Sequence, residues 1–421
     1  MDDVVNADYL KITKLAPLKK SNGGIRPIGV NETLLNLCSR IAVRQCTETI
    51  TSYLHNLDFG FNRQGSTEAV SHCILFTWSH LERNAKHFII IKFDFTNAYN
   101  SLLRSKIFQV LHQYCPQLIP FLYFRYHGVK FKFRSLLDDD LIECNSGVCQ
   151  GCALSPSIFK SVIKDLLRPS REQFPFPITS FQDDVKAIVP DDFNIINDLY
   201  SGLKKRALEY GCSLNSKSAI FFYQPISSEE INEFPFLNAI KIAENGLDVL
   251  GTNIGSQRFI EECLIEDLSV AKAKKDRFFN FLEYSINIDQ DHQWKHKTVQ
   301  YIKWSHTSLP IHKLRTTHPS LSYTFAKKHD LLLVNTMMKA LLCDHDLSTV
   351  PHPIQQFLDS LQNPLCLDDN PYIYCTFKRL FFRRSGLGIY SAFLAHQAAY
   401  LGSIALSFRL FLIFFSPTAQ E

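Results

Sequence analysis

The strongest feature of the apolar pattern is an unbroken run, Phe88-Ile-Ile-Ile91, too uniformly hydrophobic to face water on either side. Such a run predicts a strand in the middle of a sheet that helices cover on both faces. A helix is predicted just before it, because Ala69, Val70, Cys73, Ile74, Trp78 and Leu81 recur at the 3.6-residue period, with Ser66 or Thr67 placed to cap it. Helical spacing also marks Asn31–Val43, Pro156–Leu167 and Ile195–Tyr210, whereas Phe59–Ser66 reads as loop. Extended pieces are predicted at Leu10–Leu15, Ile25–Val30, Val129–Arg134, Ala219–Tyr223 and Leu247–Gly255. Ile178 and Phe181 on one side, and Val185, Ile188 and Val189 on the other, frame a β-hairpin with Asp183 and Asp184 at its tip. Beyond residue 256 the pattern changes to long helices.

Four places along this pattern carry candidate chemistry. Asp94 lies just past the buried strand, where an acid is held rigidly at the sheet edge and suits a metal ligand; it serves equally well as a strand end or helix cap. The adjacent carboxylates of Asp183 and Asp184 repel one another, and a hard cation such as Mg²⁺ relieves that repulsion, although a solvated Asp-Asp turn is the plain alternative. Gln150 and Gly151 stand in a glycine-bearing loop leading into the Pro156 helix, where backbone can approach a ligand closely. Lys20 and Arg26 flank a flexible tip, Lys19-Lys-Ser-Asn-Gly-Gly24, and could lay two cations on a triphosphate.

Composition narrows the setting. A net charge of +4 permits a nucleic-acid partner without demanding one, so cationic surface must be found locally. Lys130, Lys132 and Arg134 share one face of a strand, and Lys272, Lys274, Lys275 and Arg277 cluster on one helix; either group could follow a phosphate backbone or be ordinary solvated surface. The 12 cysteines show no paired framework and the N-terminus has no signal-peptide core, which points to reduced thiols inside a cell. Cys149-x-x-Cys152 lacks a second pair at zinc-ribbon spacing, and His292 and His296 lack acid or cysteine partners, so neither is read as a metal site. Ala398–Phe415 is largely apolar but interrupted by Gly402, Ser403, Ser407 and Arg409, and reads as a core helix or tail rather than a membrane span.

The ordered set Gly23-Gly-Ile-Arg-Pro-Ile28, Asp94-Phe-Thr-Asn-Ala-Tyr99, Gly147-Val-Cys-Gln-Gly-Cys-Ala-Leu-Ser-Pro156, Phe181-Gln-Asp-Asp184, Leu214-Asn-Ser-Lys217 and Leu250-Gly-Thr-Asn-Ile-Gly255 resembles the reverse transcriptases of non-LTR retrotransposons. Lys313-Leu-Arg-Thr316 and Ser385-Gly-Leu-Gly388 look like later parts of the same elements. The resemblance implies an α+β right-hand polymerase, with partial fingers, an antiparallel-sheet palm packed by helices, and a mainly helical thumb and C-terminal region. On that reading residues 1–260 are fingers and palm, 261–345 a thumb-like region, and 346–421 a helical region of unassigned role. It further implies that Asp94, Asp183 and Asp184 hold Mg²⁺, that Tyr99 closes the pocket beneath the sugar, and that Gln150 and Gly151 line it. Lys20 and Arg26 would clamp the triphosphate, and Lys217 would protonate the leaving group. The implied partners are an RNA template, a DNA primer and deoxynucleoside triphosphates, in an intracellular, nuclear setting, with no membrane. Segments that precede the fingers in full-length members, and an endonuclease, are not found, which reads as a truncated chain. Gln182 replaces the commoner Ala, and strand alternation predicts that it points away from the acids. The competing readings are a catalytically silent nucleic-acid-binding remnant and a group II intron maturase; the second would need a basic domain after the thumb.

Overall fold

The computed structural model describes residues 10–19, 23–83, 88–128, 130–133, 142–222, 224, 226–289, 300–306, 308–342 and 391–415. They fall into two compact units that divide between Glu244 and Asn245, with residues 409–415 grouped with the first. In chain order the first unit begins with β1 (Ile12–Lys19), β2 (Ile25–Val30), α1 (Thr33–Tyr53), β3 (Asp58–Phe59), α2 (Ser66–Arg83), β4 (Phe88–Phe93), α3 (Ala98–Ser101), α4 (Arg104–Tyr114) and α5 (Ile119–Tyr126). It continues with β5 (Lys130–Phe133), β6 (Ile142–Glu143), α6 (Ser155–Gln173), β7 (Ile178–Phe181), β8 (Asp184–Pro190), α7 (Phe193–Glu209), β9 (Ala219–Phe222), α8 (Ser228–Glu233) and β10 (Lys241–Ala243).

The apolar run at Phe88–Ile91 becomes β4, third in a six-stranded sheet of order β10-β9-β4-β8-β7-β3. Ile89, Ile90 and Ile91 are fully buried, each contributing about 1.5–3 kcal/mol of hydrophobic stabilisation. Both faces are covered, as an unbroken run requires. Ile89, Ile91 and Phe93 share one core with Ile158, Val162 and Leu166 of α6 and Leu199 of α7. On α2, Trp78 packs edge-on against Phe88 at 4.9 Å and stacks with Phe221 at 5.1 Å. Pairing is antiparallel across β9-β4-β8-β7, and a parallel strand, β10 or β3, closes each edge.

Two predicted helices run on past their expected ends. α1 continues to Tyr53 because Cys46 and Ile50 extend the buried stripe begun by Leu35 and Ser39. α6 passes through Pro169 to Gln173, carrying Leu166, Leu167 and Ser170 into the core. A second sheet, β2-β1-β5-β6, holds Ile25–Val30 antiparallel to β1. Lys20 and Arg134 lie outside the described residues, as do His292, His296 and Ser385–Gly388.

In the second unit the hairpin of β11 (Gly246–Val249) and β12 (Thr252–Gly255) precedes the long helix α9 (Gln257–Asp289). A Cβ on Gly246 would stand 2.3 Å from the Phe259 ring, so the hairpin is packed tightly onto the first turn of that helix. This packing places the hairpin in the same compact unit as the helix. The last helix, Ala392–Phe415, is capped by the buried Asp330, which accepts from the Ala392 N–H at 2.8 Å and the Phe393 N–H at 3.0 Å. Among the described residues no helix is long and apolar enough to cross a membrane.

Candidate active site

Phe181 pairs with Asp184, so Gln182 and Asp183 form the loop between β7 and β8. Gln182 takes φ +54°, a left-handed conformation that costs a non-glycine residue about 1–3 kcal/mol and persists only where its surroundings hold it. They do. The Gln182 amide nitrogen donates to the Gly60 carbonyl at 2.7 Å, and the amide oxygen accepts from the Tyr99 hydroxyl at 3.0 Å. The Gln182 side chain thus bridges the Gly60 carbonyl and the Tyr99 hydroxyl.

Asp94 leaves the end of β4 and is fixed by the Leu214–Ser218 loop. Its N–H donates to the Ser218 hydroxyl at 3.1 Å, and its carbonyl accepts from the Asn215 N–H at 2.7 Å. That stitching brings the exposed Lys217 close enough to act on the Asp94 carboxylate. Burial, then Asp184, push the Asp94 carboxyl above its ordinary range, and Lys92, Lys217 and Asn215 draw it back. Asp183 is raised by burial first; its own N–H opposes this, Asp184 and Asp94 add to it, and Arg26 on β2 counters them. Asp184 is held differently, by Lys92 at 3.7 Å and the buried Lys186 at 3.5 Å, two lysines that are register partners on β4 and β8.

The Gln150–Gly151 loop is seamed on two sides. Val148 N–H donates to the Tyr99 carbonyl at 2.7 Å, and Gly29 on β2 donates to the Gln150 carbonyl at 2.6 Å. Gly151 has φ +109°, and a Cβ there would sit 2.4 Å from the Gly29 carbonyl oxygen. Only glycine permits this approach. Gly151→Ala is therefore expected to lower stability by about 1–3 kcal/mol, read as a lower denaturant midpoint; an unchanged midpoint would mean that the seam carries no strain.

Arg26, Asp94, Tyr99, Gln150, Gly151, Asp183, Asp184 and Lys217 are thus linked at one end of the buried sheet, by backbone seams and by their mutual electrostatics. Lys92 and Lys186 were legible in the pattern, each two positions from an acid and on the same strand face, in strands too apolar to waste a charge. Asp58 had no such signal. It is fully buried, accepts from Ser180 at 2.6 Å and Arg171 at 3.0 Å, and faces Lys160 at 3.4 Å.

The donor set suits a hard cation that substrate phosphates complete. Among the described residues no three acidic, histidine or cysteine side chains enclose an ion by themselves. Ionised, the Asp94, Asp183 and Asp184 side chains offer carboxylate oxygens of the kind Mg²⁺ takes when phosphate and water supply its other ligands.

Residues 18–254, a span holding all of these side chains, match the family described as reverse transcriptase (RNA-dependent DNA polymerase). The chain belongs to the reverse transcriptase family. It is similar to the retrotransposable element SLACS 132 kDa protein of Trypanosoma brucei gambiense, 27% identical over 207 residues. That match takes in 45% of this chain and 16% of the relative, so the chain spans well under a fifth of that protein's length. Among solved structures it is similar to apo telomerase from Candida tropicalis, with TM-score 0.46, 10% identity, and coverage of 97% of this chain and 68% of that one. Telomerase from Candida albicans, in complex with the TWJ fragment of telomeric RNA, gives TM-score 0.41, 13% identity, and coverage of 84% and 64%. A Candida tropicalis telomerase truncated from the C-terminal domain gives 0.42 and 13%, with 54% of that chain covered.

Proposed function

We propose that this chain is the RNA-directed DNA polymerase of a non-LTR retrotransposon, extending a primer 3′-hydroxyl on an RNA template with deoxynucleoside triphosphates. The observation that carries the reading is the pair Asp94 and Asp183, each raised by burial and neighbouring acids, within a family match that spans both. Asp94 and Asp183 would hold Mg²⁺, with Asp184 beside them anchored by Lys92 and Lys186. Mg²⁺, when bound, polarises the primer hydroxyl and neutralises the triphosphate and departing pyrophosphate. Arg26, exposed on β2 and acting on Asp183, meets the triphosphate with forked donors, joined by Lys20. Lys217, exposed beside Asp94, carries the proton that the leaving pyrophosphate takes up. Tyr99, stacked on Phe159 at 4.2 Å, forms the floor beneath the sugar. Gln150 and Gly151 close the pocket wall, held to β2 through Gly29. The exposed Lys272 and Arg277 of α9 and, independently, Lys130 on β5 are cations of the kind that bind a template–primer backbone, and the resemblance to such elements favours work in the nucleus.

A second reading, duplex binding without turnover, is favoured by the two lysines that already neutralise Asp184. Primer extension on RNA and DNA templates with Mg²⁺, run beside fluorescence anisotropy over a salt series, decides between them. The expected result is binding that weakens steeply with salt, together with extension on RNA. Binding without extension supports the second reading, and no binding at low salt overturns both.

A further inference from the structure

A two-residue hairpin loop with a left-handed first position favours glycine or asparagine, yet this one carries glutamine. Both ends of its amide are in use. An amide oxygen can only accept and an amide nitrogen only donate, so the Gly60 carbonyl fixes the nitrogen at 2.7 Å and leaves the oxygen facing the Tyr99 hydroxyl at 3.0 Å. The Tyr99 proton is therefore committed to Gln182.

Each end of the bridge is anchored. Gly60 follows β3, which pairs with the outer edge of β7. Asp58 on that strand is locked by Ser180, Arg171 and Lys160. Gly60 itself has φ +89°, and a Cβ there would lie 3.3 Å from the Gln182 side chain, so the contact is close as well as polar. At the other end the Tyr99 ring lies on Phe159, 8° from parallel. Phe159 and Lys160 are neighbours on α6, so the circuit from Gly60 through Gln182, Tyr99 and Phe159 returns to Asp58 through a single helix turn.

Resting on the polymerase reading above, we propose that Gln182 is a positioning residue that sets the choice between deoxyribose and ribose at Tyr99. Its amide holds the phenol at a fixed place relative to the Asp183 tip and keeps the phenolic proton occupied. A ribose 2′-hydroxyl arriving there meets a ring that cannot tilt aside and a hydroxyl with no proton to offer. Without the bridge, the Tyr99 hydroxyl is free to donate to the 2′-hydroxyl; without the Tyr99 hydroxyl, there is room for it. Either loss admits ribonucleotides.

The test is a double-mutant cycle of Gln182→Met, Tyr99→Phe and the combined variant. For each, kcat/KM is measured for a deoxynucleotide and its ribonucleotide on one RNA template–primer, with a thermal melt alongside. Each single change is expected to lower the deoxy-to-ribo ratio by about fivefold to tenfold, the weight of one ordinary hydrogen bond. The double variant should fall no further than the singles, since both remove the same bond. Should Gln182→Met fail to fold, Tyr99→Phe still reads the ratio, because Phe keeps the stack on Phe159. An unchanged ratio in an extending Gln182→Met or Tyr99→Phe chain, even with a lower melting temperature, overturns the proposal and leaves the polymerase reading standing. So do effects that multiply in the double variant. An unsubstituted chain that extends with neither sugar overturns both.

Discussion

Asp183→Asn is expected to melt at a higher temperature than the unsubstituted chain in Mg²⁺-free neutral buffer, while losing primer extension. Burial, then Asp184 and Asp94 against the opposition of its own N–H and Arg26, raise the folded-state carboxyl above the ordinary value. A carboxyl raised in the fold contributes stability below its unfolded pKa of about 4, and that share is lost as pH rises through the folded pKa. At neutral pH the ionised side chain is therefore a net cost to the fold. Asn keeps the shape, suits a turn, and removes the charge. The gain in melting temperature should accordingly vanish in acid, where Asp183 is itself protonated. Mg²⁺ should raise the melting temperature of the unsubstituted chain more than that of the variant, because binding to the folded state adds its own stabilisation. Extension retained within about tenfold, roughly 1.4 kcal/mol of barrier, would remove Asp183 from the metal-binding set. A lower melting temperature at neutral pH would instead refute the repulsion.

The parts of this site that the sequence made legible are those whose signal is local. Phe88–Ile91 needs only its own composition to declare a central strand, and Asp94 follows it directly. The hairpin acids are framed by apolar residues within a few positions, and Gly147 and Gly151 mark a loop that packs against backbone. What stayed hidden depends on contacts between distant segments. Phe59 and its neighbours read as loop because a strand of two residues has no period, and β3 exists through its parallel pairing to β7. Asp58 gave no sign because its partner Arg171 is 113 residues away and Ser180 is 122 away. The contacts of Gln182 were hidden for a related reason: alternation assigns faces along a strand, whereas its conformation is that of a turn, and its partners Tyr99 and Gly60 are 83 and 122 residues away.

Asp58→Asn is expected to be the most damaging single substitution to the fold among those considered. Burial alone would raise this carboxyl, but Arg171 and Lys160, with hydrogen bonds from Arg171 and Ser180, more than reverse it and hold it well below the ordinary carboxylate range. Burial lowers Lys160 to about 7, with Asp58 opposing that shift. Removing the carboxylate deprives the Arg171 guanidinium of its buried counter-charge and takes away the opposition that limits the fall of Lys160. Breaking a buried pair in this way costs about 3–5 kcal/mol, read as the shift in denaturant midpoint at constant slope. The pH dependence has a definite sign. A depressed carboxyl contributes stability above its unfolded pKa of about 4 and loses it as pH falls through the folded value. The gap between the chain and its Asn variant should therefore be widest at neutral pH and narrow in acid. Extension should fall further than stability alone explains, because the β3 strap that carries Gly60 also anchors Gln182 and, through it, Tyr99. A midpoint shift below about 1 kcal/mol, within the range of a surface ion pair, would mean that β3 is held by its backbone pairing with β7 and not by the buried charges.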